Sequence, residues 1–465
     1  MRKFIDREQE LEFLTKKYQS GEAELIVLYG RRRIGKTELL LRFAQDRPVI
    51  YFLGRMESGP ETIRRFNRLL AERFEDRTLL DVPLPGWDAI LEYMAKRMES
   101  RAVVILDEFP FIVDRFPEIV SILQDKWDSM LGKTKMMLVL TGSSVGMMEK
   151  HALSYKSPLY GRRTGQWQLA PMPLRCLREF FPSYSIEDLF RVYATLDAIP
   201  GYLAKFSPDK EIWENIEEKV LSKGEFLYEE VEMLMREELR DPSNYMSILS
   251  AIAGGATALN EIRNRTQLDK SLLSKYIFTL MNLGIVERRI PVTESYKGRL
   301  GAKGAIYFLK DNFIDFWFRF VYLNKQRLEA GETDSVLDDI KREFNRYISI
   351  KFEDIVSTLV PYLHVIDATR IGRWWHKDRE IDVVALDERN KEVLFCECKW
   401  EENVDAEKIL EHLRTTAAHV DWHRKKRKEH YAIFARSFER KVDGCFDMND
   451  IENLIQGGTI ADRHP

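Results

Sequence analysis

The clearest chemical signal in this 465-residue sequence is a glycine-rich loop that ends in Lys and Thr. Residues 30–37 read Gly-Arg-Arg-Arg-Ile-Gly-Lys-Thr and match the phosphate-binding pattern G-x-x-x-x-G-K-[ST] in full. The glycines let successive backbone N–H groups face a β-phosphate, while Lys36 reaches the β- and γ-phosphates and Thr37 offers its hydroxyl to Mg²⁺. An apolar run before the loop and a helical pattern after it favour a nucleotide site over a plain glycine turn. The predicted residues of this site are Gly30, Arg31, Arg32, Arg33, Ile34, Gly35, Lys36, Thr37 and Glu38.

An acidic pair downstream is the expected partner of this loop. Residues 102–108 read Ala-Val-Val-Ile-Leu-Asp-Glu, an apolar strand that ends in two carboxylates. Such a strand places Asp107 beside Mg²⁺ at the carboxyl edge of a sheet. Glu108 can then polarise a water molecule for attack on the γ-phosphate, which makes Glu108 and Lys36 the predicted catalytic residues. The pair favours hydrolysis over phosphorylation of a small molecule, and a solvent-exposed acidic loop is the alternative.

Two further segments contain groups that can reach the γ-phosphate. Thr141 begins a Thr-Gly-Ser-Ser run after an apolar strand, and its hydroxyl can sense that phosphate, although Thr and Ser are also ordinary turn formers. Arg162 and Arg163 can bind the γ-phosphate in cis or from a neighbouring copy, and a surface role stays open. The sequence has no Asn-Lys-x-Asp motif for guanine, so we expect ATP with Mg²⁺ as the cofactor.

A second group of charged residues lies in the last third of the chain. Residues 380–382 read Glu-Ile-Asp and residues 397–399 read Glu-Cys-Lys, each on a predicted strand. Residues i and i+2 of a strand share a face, so Glu397 and Lys399 lie together and the adjacent cysteines fill the other face, which disfavours a zinc knuckle. Asp382 and Glu397 can hold Mg²⁺ or Mn²⁺, and Lys399 can orient or deprotonate an attacking water. Surface salt pairs on a structural module are the alternative.

The elements that position the loop and the acidic pair are predicted from apolar runs. The first 170 residues alternate short β-rich runs with helical patterns, as a parallel α/β sheet requires. The runs are almost continuously apolar, which indicates strands covered by helices on both faces. A helix over Glu38–Gln45 follows the loop, and Pro171 and Pro173 mark the end of the domain. The predicted strands are Leu25–Tyr29, Val49–Leu53, Val103–Leu106, Met136–Leu140 and Gln166–Leu169.

Two helical regions come next. Residues 211–240 contain ten Glu and four Lys or Arg, a local charge of −6, which is typical of a solvated helical lid and unsuited to phosphates. Residues 244–310 predict three helices and a hairpin, the winged-helix order. Contact with DNA and packing between an ATPase and an effector domain are both open roles for this module. The residues expected to meet DNA are Lys270, Ser271, Ser274 and Lys275 of the third helix and Arg288, Arg289, Lys297, Arg299 and Lys303 of the wing.

Composition limits the class of protein. Lys plus Arg number 72 and Asp plus Glu number 75, so the net charge of −3 excludes a strongly basic coat protein and an acidic tail protein. Four Cys do not form a disulfide scaffold in a chain of this length, which indicates a reducing interior. The first residues have no apolar signal core, and the uncharged stretch Asn244–Asn260 is too polar for a membrane span. We expect a soluble cytoplasmic protein.

These motifs together resemble a known family. Phe4-Ile5-Asp6-Arg7-Glu8, the phosphate loop, Asp107-Glu108, Thr141-Gly142-Ser143 and Gly161-Arg162 are similar to the archaeal P-loop ATPases of the STAND and AAA type, and Pro171–Leu174 and Ile199–Tyr202 fit the helical lid of that family. The resemblance implies that Phe4 and Arg7 lie near the adenine. The last third resembles a domain often found with this ATPase and similar to PD-(D/E)xK nucleases. Its similarity to archaeal junction resolvases implies that Glu353 completes the metal ligands.

The combined prediction is an α/β protein with four domains. These are a P-loop ATPase sheet (1–170), a helical lid (171–243), a winged-helix domain (244–310) and a restriction-endonuclease-like, PD-(D/E)xK domain (311–465). We expect an ATP-hydrolysing protein that acts on DNA, with a metal-dependent nuclease-like domain. The alternative is an ATP-dependent regulatory switch whose last two domains bind DNA or a protein partner without cleavage. A homo-oligomer is compatible with either function, and a membrane partner is not expected.

Overall fold

The computed structural model describes residues 4–239, 241–294 and 304–457, and the chain divides into two compact units. The first unit is the chain up to Met172 together with Ile199–Gly201, and the second comprises Pro173–Ala198 and the chain from Tyr202 onward. The predicted wing residues Lys297, Arg299 and Lys303 lie outside the described residues. Within the described ranges, no helix has both the length and the apolar composition that a membrane crossing requires.

Within its described residues, the first unit is built on a five-stranded parallel sheet in the order β2-β3-β4-β1-β5. Every residue of β1, β3 and β4 is buried, because helices cover both faces of these central strands. The order brings the carboxyl ends of these three strands to one edge, where the phosphate loop, the acidic pair and the Thr-Gly-Ser segment follow them. The strands are β1 (Glu24–Tyr29), β2 (Val49–Leu53), β3 (Ala102–Asp107), β4 (Met136–Gly142) and β5 (Gly165–Gln168).

Helices connect these strands as crossovers. A run of apolar side chains from both the sheet and the helices, among them Leu70, Trp87 and Leu123, forms a continuous core on one face. The α/β class and the parallel sheet predicted from the sequence are confirmed. The helices are α1 (Glu8–Gln19), α2 (Lys36–Ala44), α3 (Gly59–Arg73), α4 (Thr78–Asp81), α5 (Trp87–Arg97), α6 (Phe109–Arg115), α7 (Ile119–Ser129) and α8 (Val145–Met148), with a π-helical turn over Glu149–Leu153.

The second unit begins with helices. Their apolar faces bury Phe190, Tyr228 and Trp317 among the larger side chains. Three of these helices precede an antiparallel hairpin, which is the order expected of residues 244–310. The elements are α9 (Leu177–Phe180), α10 (Ile186–Leu196), α11 (Pro200–Leu203, which begins in the first unit), α12 (Ile212–Ile216), α13 (Phe226–Glu238), α14 (Ser243–Ala253), α15 (Leu259–Thr266), α16 (Lys270–Asn282), β6 (Val286–Arg289) and β7 (Ile306–Leu309).

A mixed sheet follows, in the order β12-β11-β10-β9-β8. The strands β8, β9 and β10 pair antiparallel, whereas β10, β11 and β12 pair parallel. A long helix precedes the sheet and another crosses between β10 and β11. The elements are α17 (Asn312–Phe316), α18 (Lys325–Glu329), α19 (Thr333–Leu359), β8 (Arg370–His376), β9 (Arg379–Asp387), β10 (Glu392–Lys399), α20 (Ala406–Ala417), β11 (Lys428–Ala435), β12 (Cys445–Phe446) and α21 (Met448–Gly457).

Candidate functional site

The phosphate loop curls between β1 and α2 around a buried lysine. Lys36 is the first residue of α2, and its Nζ donates hydrogen bonds to the carbonyl oxygens of Gly30 at 2.8 Å and Arg31 at 2.9 Å. A Cβ on Gly30 would lie 2.7 Å from the carbonyl oxygen of Leu169, so the start of the loop requires glycine. The structure therefore holds the predicted ammonium inside the loop. Ile34 is fully buried, and Thr37 and Glu38 are exposed in the first turn of α2.

Asp107 joins this loop to the sheet through its carboxylate. Its Oδ2 accepts hydrogen bonds from Thr37 Oγ1 at 2.9 Å and from the Tyr51 hydroxyl at 2.6 Å, and its Oδ1 accepts one from the Glu108 N–H at 2.9 Å. The Asp107 side chain is almost fully buried, and a hydroxyl and a carboxylate side by side are the hard oxygen donors that suit Mg²⁺. Thr37 and Asp107 thus fit the ion that both were predicted to hold.

Sequence reasoning missed Tyr51. It lies in the middle of β2, beside β3, where its hydroxyl reaches Asp107. Burial and the hydrogen bond to Asp107 raise the pKa of the phenol, so Tyr51 stays a hydrogen-bond donor at neutral pH. The available signal was a polar hydroxyl within an otherwise apolar strand next to the strand that ends in Asp107.

Glu108 is held in a left-handed backbone conformation, with φ of 49°, at the start of α6. Its Oε2 accepts hydrogen bonds from the Ser143 N–H at 3.1 Å and the Ser143 hydroxyl at 2.9 Å. Gly142, the last residue of β4, has no room for a side chain, because a Cβ there would lie 2.6 Å from Pro110 Cδ. The end of β4 therefore positions the predicted catalytic carboxylate.

Thr141, the predicted sensor of the γ-phosphate, lies two residues before Ser143. It is fully buried in β4 beside Leu28 of β1, and its hydroxyl has no hydrogen-bond partner among the described residues. Ser143 rather than Thr141 contacts Glu108. The sensing role of Thr141 stays a prediction.

Arg162 lies away from the phosphate loop. It precedes the first residue of β5, and its guanidinium makes a bidentate ion pair with Asp128 at 2.8 and 2.6 Å. Asp128 belongs to the last turns of α7, which leads to the amino end of β4, whereas the phosphate loop follows the carboxyl end of β1. The ion pair with Asp128 holds the Arg162 guanidinium near the amino end of β5. Its predicted contact with the γ-phosphate, in cis or from a neighbouring copy, stays a prediction.

The amino-terminal segment contacts the phosphate loop through Arg7. Arg7 is buried and donates from Nη2 to the carbonyl oxygens of Ile34 at 3.1 Å and Ala170 at 2.9 Å, while its Nη1 pairs with Glu10 at 2.9 Å. Phe4 is half-buried at the start of this segment. The contacts give Arg7 a supporting role at the phosphate loop, and the expected place of Phe4 and Arg7 near the adenine stays a prediction.

A Pro-Gly pair from further along the chain also contacts the loop. The Gly201 N–H donates to the Arg33 carbonyl oxygen at 3.0 Å, and a Cβ on Gly201 would lie 2.7 Å from Arg33 Cβ. Pro200 Cγ approaches the Cβ position of Gly35 at 3.9 Å. The middle of the phosphate loop is thus packed against Pro200 and Gly201, residues that the sequence analysis had placed in the lid.

In the second unit, strand register brings the predicted acids together. The antiparallel pairing of Val383 with Cys396 places the next residues, Asp382 and Glu397, opposite each other on one face. Asp382 Oδ2 accepts the Cys398 N–H at 2.8 Å, and Lys399 Nζ lies 2.7 Å from Glu397 Oε1.

Glu353 of α19 and Arg373 of β8 border this group. Arg373, which the sequence analysis did not single out, lies beside a bulge in β8 and places its Nη2 2.6 Å from Glu353 Oε2. Burial and the negative charge of Glu397 raise the pKa of Asp382. Burial also raises the pKa of Glu353, with Asp382 adding to the effect and Arg373 opposing it. The charged forms of these carboxylates are therefore disfavoured unless a cation joins them.

The charge of Lys399 depends on the carboxylates beside it. Burial opposes its positive charge, but the ion pair with Glu397 and the charge of Asp382 outweigh burial and raise the pKa of the ammonium. Its predicted role in orienting or deprotonating an attacking water stays a prediction. A charged Lys399 can orient water or stabilise negative charge.

The acidic group fits a divalent ion only in part. Asp382 and Glu397 offer facing oxygen donors, but Glu353 is engaged by Arg373. Among the described residues, no three carboxylate, imidazole or thiol side chains come together in a way that could hold a metal ion.

One arginine of the hairpin after α16 is paired with acidic residues. Arg289 forms ion pairs with Glu287 and, at 2.9 Å, with Asp354. Its predicted contact with phosphates stays a prediction. Lys270 and Lys275 are exposed on α16, where Phe278 is also 63% exposed.

Two known families match separate parts of this chain. Residues 4–206 match the family described as an ATPase domain predominantly from Archaea, and residues 317–409 match a family described as archaeal and bacterial proteins of unknown function. An uncharacterized protein of Methanocaldococcus jannaschii is 36% identical over 459 residues, which covers 96% of this chain and 99% of that protein. The chain belongs to this archaeal ATPase family.

Two further likenesses cover less of the chain. An uncharacterized ATP-binding protein of the same organism is 48% identical over 46 residues, 10% of this chain and 78% of that protein. The Walker-type ATPase of Pyrococcus abyssi superimposes with a TM-score of 0.53 at 21% identity, covering 68% of this chain and 96% of that structure. The second likeness shows a shared fold.

Proposed function

We propose that this archaeal ATPase-family protein binds ATP with Mg²⁺ at residues 30–38 and hydrolyses it. The observation that carries the proposal is the hydrogen bond between Thr37 and Asp107, with Lys36 and Glu108 on the same edge of the sheet. Loop N–H groups and Lys36 bind the phosphates, while Thr37 and Asp107 would hold the ion. When bound, Mg²⁺ neutralises charge on the phosphate oxygens.

Glu108 is the proposed proton acceptor for the attacking water. Ser143 fixes one carboxylate oxygen through two hydrogen bonds, which leaves Oε1 to orient the water. This division of roles separates binding from turnover. Thr141 would sense the γ-phosphate, and Arg162 would contact it in cis or from a neighbouring copy in a homo-oligomer.

The test is calorimetric titration of ATP·Mg²⁺ into wild type and Lys36→Ala. Loss of a buried cation that contacts two phosphates should weaken ATP binding at least about a hundredfold, at 1.5–3 kcal/mol per charged hydrogen bond. Lys126→Ala, which removes an ammonium paired with Asp88 on the surface of the same unit, is the matched control and should bind normally. Equal affinity of Lys36→Ala and wild type would overturn the proposal.

We propose metal-dependent action on DNA as a second function, located on the mixed sheet. Asp382 and Glu397 face each other with Lys399 alongside, and their mutual repulsion favours a divalent cation. Bound Mg²⁺ or Mn²⁺ would polarise a scissile phosphate, Glu353 would contribute after release from Arg373, and Lys399 would stabilise negative charge. The helices before the hairpin would bind the DNA through Lys270 and Lys275 of α16.

Cleavage of plasmid and branched DNA with Mn²⁺, with and without ATP, tests this function. Asp382→Asn should lose cleavage, whereas Asp378→Asn, on the exposed turn between β8 and β9, should keep it. Equal cleavage by wild type and Asp382→Asn would rule out cleavage at Asp382 and would favour the alternative function, an ATP-dependent switch. In that case the second unit would bind DNA or a protein partner without cutting. The exposed Leu272 and Phe278 of α16 favour a protein partner in that alternative.

A further inference from the structure

A loop of the first unit exposes two aromatic rings that the proposed ATPase chemistry does not use. Residues 150–163, here called the tyrosine loop, comprise most of the π-helical turn after α8 and most of the chain between that turn and β5. Tyr155 is 83% exposed and Tyr160 is 45% exposed. The two ring centroids lie 5.4 Å apart in an edge-to-face arrangement. Two large exposed rings in contact indicate a binding surface rather than core packing.

Buried side chains and hydrogen bonds anchor the backbone of the tyrosine loop. Ala152 and Leu159 are fully buried in the core of the sheet. The Ser157 hydroxyl donates to the His151 carbonyl oxygen at 2.5 Å and accepts the Leu159 N–H at 3.2 Å. The Tyr160 N–H donates to the Ser157 carbonyl oxygen at 3.0 Å. These bonds hold Tyr160 directly, and Tyr155 lies between the bonded residues His151 and Ser157. The anchoring reduces the entropy that is lost when a ligand orders the loop.

The charge of the tyrosine loop is positive. Residues 150–163 contain Lys150, Lys156, Arg162 and Arg163 and no Asp or Glu, although Glu149 precedes them. Asp128 balances Arg162. Among the ion pairs of the described residues, none involves the remaining three cations. The Arg163 guanidinium lies over the Tyr160 ring, 5.2 Å from its centroid.

We propose that the tyrosine loop binds a single strand of nucleic acid. Bases that are not paired can stack on the faces of Tyr155 and Tyr160, and the phosphates that connect them can lie along Lys150, Lys156 and Arg163. A duplex keeps its bases stacked inside and cannot use the rings, so the loop prefers a single strand. This binding does not depend on cleavage at Asp382 or on the helices before the hairpin.

The experiment is fluorescence anisotropy of the full chain with labelled thymidine and uridine strands of about 20 nucleotides and with a duplex of the same length. Replacing both Tyr155 and Tyr160 with Ala should weaken binding of the single strand at least tenfold, because stacking contributes about 1–3 kcal/mol per base. Replacing both with Phe keeps the rings and should leave the affinity within about twofold, by the same stacking argument. The strand that binds more tightly identifies DNA or RNA as the ligand.

The positive charges are tested by salt dependence. Lys150→Gln with Lys156→Gln should reduce the slope of log affinity against log salt by about 1.4, at 0.7 per phosphate contact on a single strand. Lys16→Gln with Lys408→Gln removes the same charge at exposed positions elsewhere and should leave the slope unchanged. An unchanged slope in the first double variant would overturn the proposal.

Two other results would also overturn it. One is equal affinity of wild type and the double Ala variant for the single strand. The other is a change in sedimentation coefficient of the double Ala variant without nucleic acid, which would assign the rings to contact between copies. Calorimetric ATP binding should match wild type in every variant. This control separates failure of the tyrosine loop from failure of the ATP site.

Discussion

The two groups of acidic residues in this protein are held in opposite ways. At the phosphate loop, Asp107 accepts hydrogen bonds from Thr37 and Tyr51, and Ser143 donates twice to Glu108. On the mixed sheet, Asp382 and Glu397 face each other, and burial with like charge raises the pKa of Asp382. The carboxylates of the first group accept hydrogen bonds from neutral donors, whereas the facing carboxylates of the second repel each other unless a cation joins them. Motifs at the strand ends predict the Thr37–Asp107 contact, whereas only strand register brings Asp382 and Glu397 together.

The largest expected effect separates binding from turnover at the phosphate loop. Glu108→Gln keeps the contact with Ser143 but removes the proton acceptor, so turnover should fall by about 10²–10⁴. ATP affinity should stay near that of wild type. A coupled phosphate-release assay together with calorimetry measures both quantities. Glu118→Gln, at the start of α7, is the control, and turnover of Glu108→Gln above one tenth of wild type would remove Glu108 from its proposed role.

An intermediate effect on the melting temperature tests whether the facing carboxylates of Asp382 and Glu397 need a cation. The raised pKa of Asp382 means that the unfolded state loses its proton first as pH rises, so this residue lowers stability increasingly above the ordinary carboxyl pKa. Without divalent ions, Asp382→Asn should therefore melt at a higher temperature than wild type at pH 8, and the difference should shrink towards pH 4. Asp107→Asn should show no such gain, because an amide nitrogen cannot accept the hydrogen bonds that the replaced carboxylate oxygen accepts.

The melting experiment also has a metal arm. Mn²⁺ should raise the melting temperature of wild type at pH 8 more than that of Asp382→Asn, since an ion that binds only the folded state stabilises it. Thermal unfolding followed by circular dichroism gives both measurements. A lower melting temperature for Asp382→Asn at pH 8 would mean that the Asp382 carboxylate stabilises the fold without a cation. That result would contradict the proposed difference between the two acidic groups.

The smallest effect concerns Tyr51. Tyr51→Phe removes one donor to Asp107 and should lower the Mg²⁺-dependent part of ATP affinity by about 1 kcal/mol. Titration of ATP with and without Mg²⁺ measures that part. Tyr93→Phe, which removes a hydrogen bond to Asp76 on the same unit, is the matched control. An identical Mg²⁺ effect in Tyr51→Phe and wild type would restrict Tyr51 to packing.

Local patterns predicted the first unit well. Five apolar runs became five parallel strands with ends shifted by at most two residues, because a strand buried on both faces leaves a continuous apolar signature. The Asp107–Thr37 contact followed from a motif whose members sit at fixed strand ends.

What the sequence did not reveal depends on spatial neighbours. Tyr51 acts at Asp107 only because β2 pairs with β3, and Gly201 packs on Arg33 across a long interval of chain. Arg162 matched a motif, but its ion pair is with Asp128 of a different element. Arg373 meets Glu353 through an irregular strand, and no local pattern indicates this contact.

The central claim is that Thr37 and Asp107 are preassembled to hold the ion that accompanies ATP. Calorimetric titration of ATP in Mg²⁺ and in EDTA tests it most directly, with wild type, Asp107→Asn and the surface control Asp88→Asn. The account predicts that Mg²⁺ strengthens ATP binding in wild type and in Asp88→Asn, and that Asp107→Asn loses most of this gain. The same Mg²⁺-dependent gain in all three proteins would contradict it.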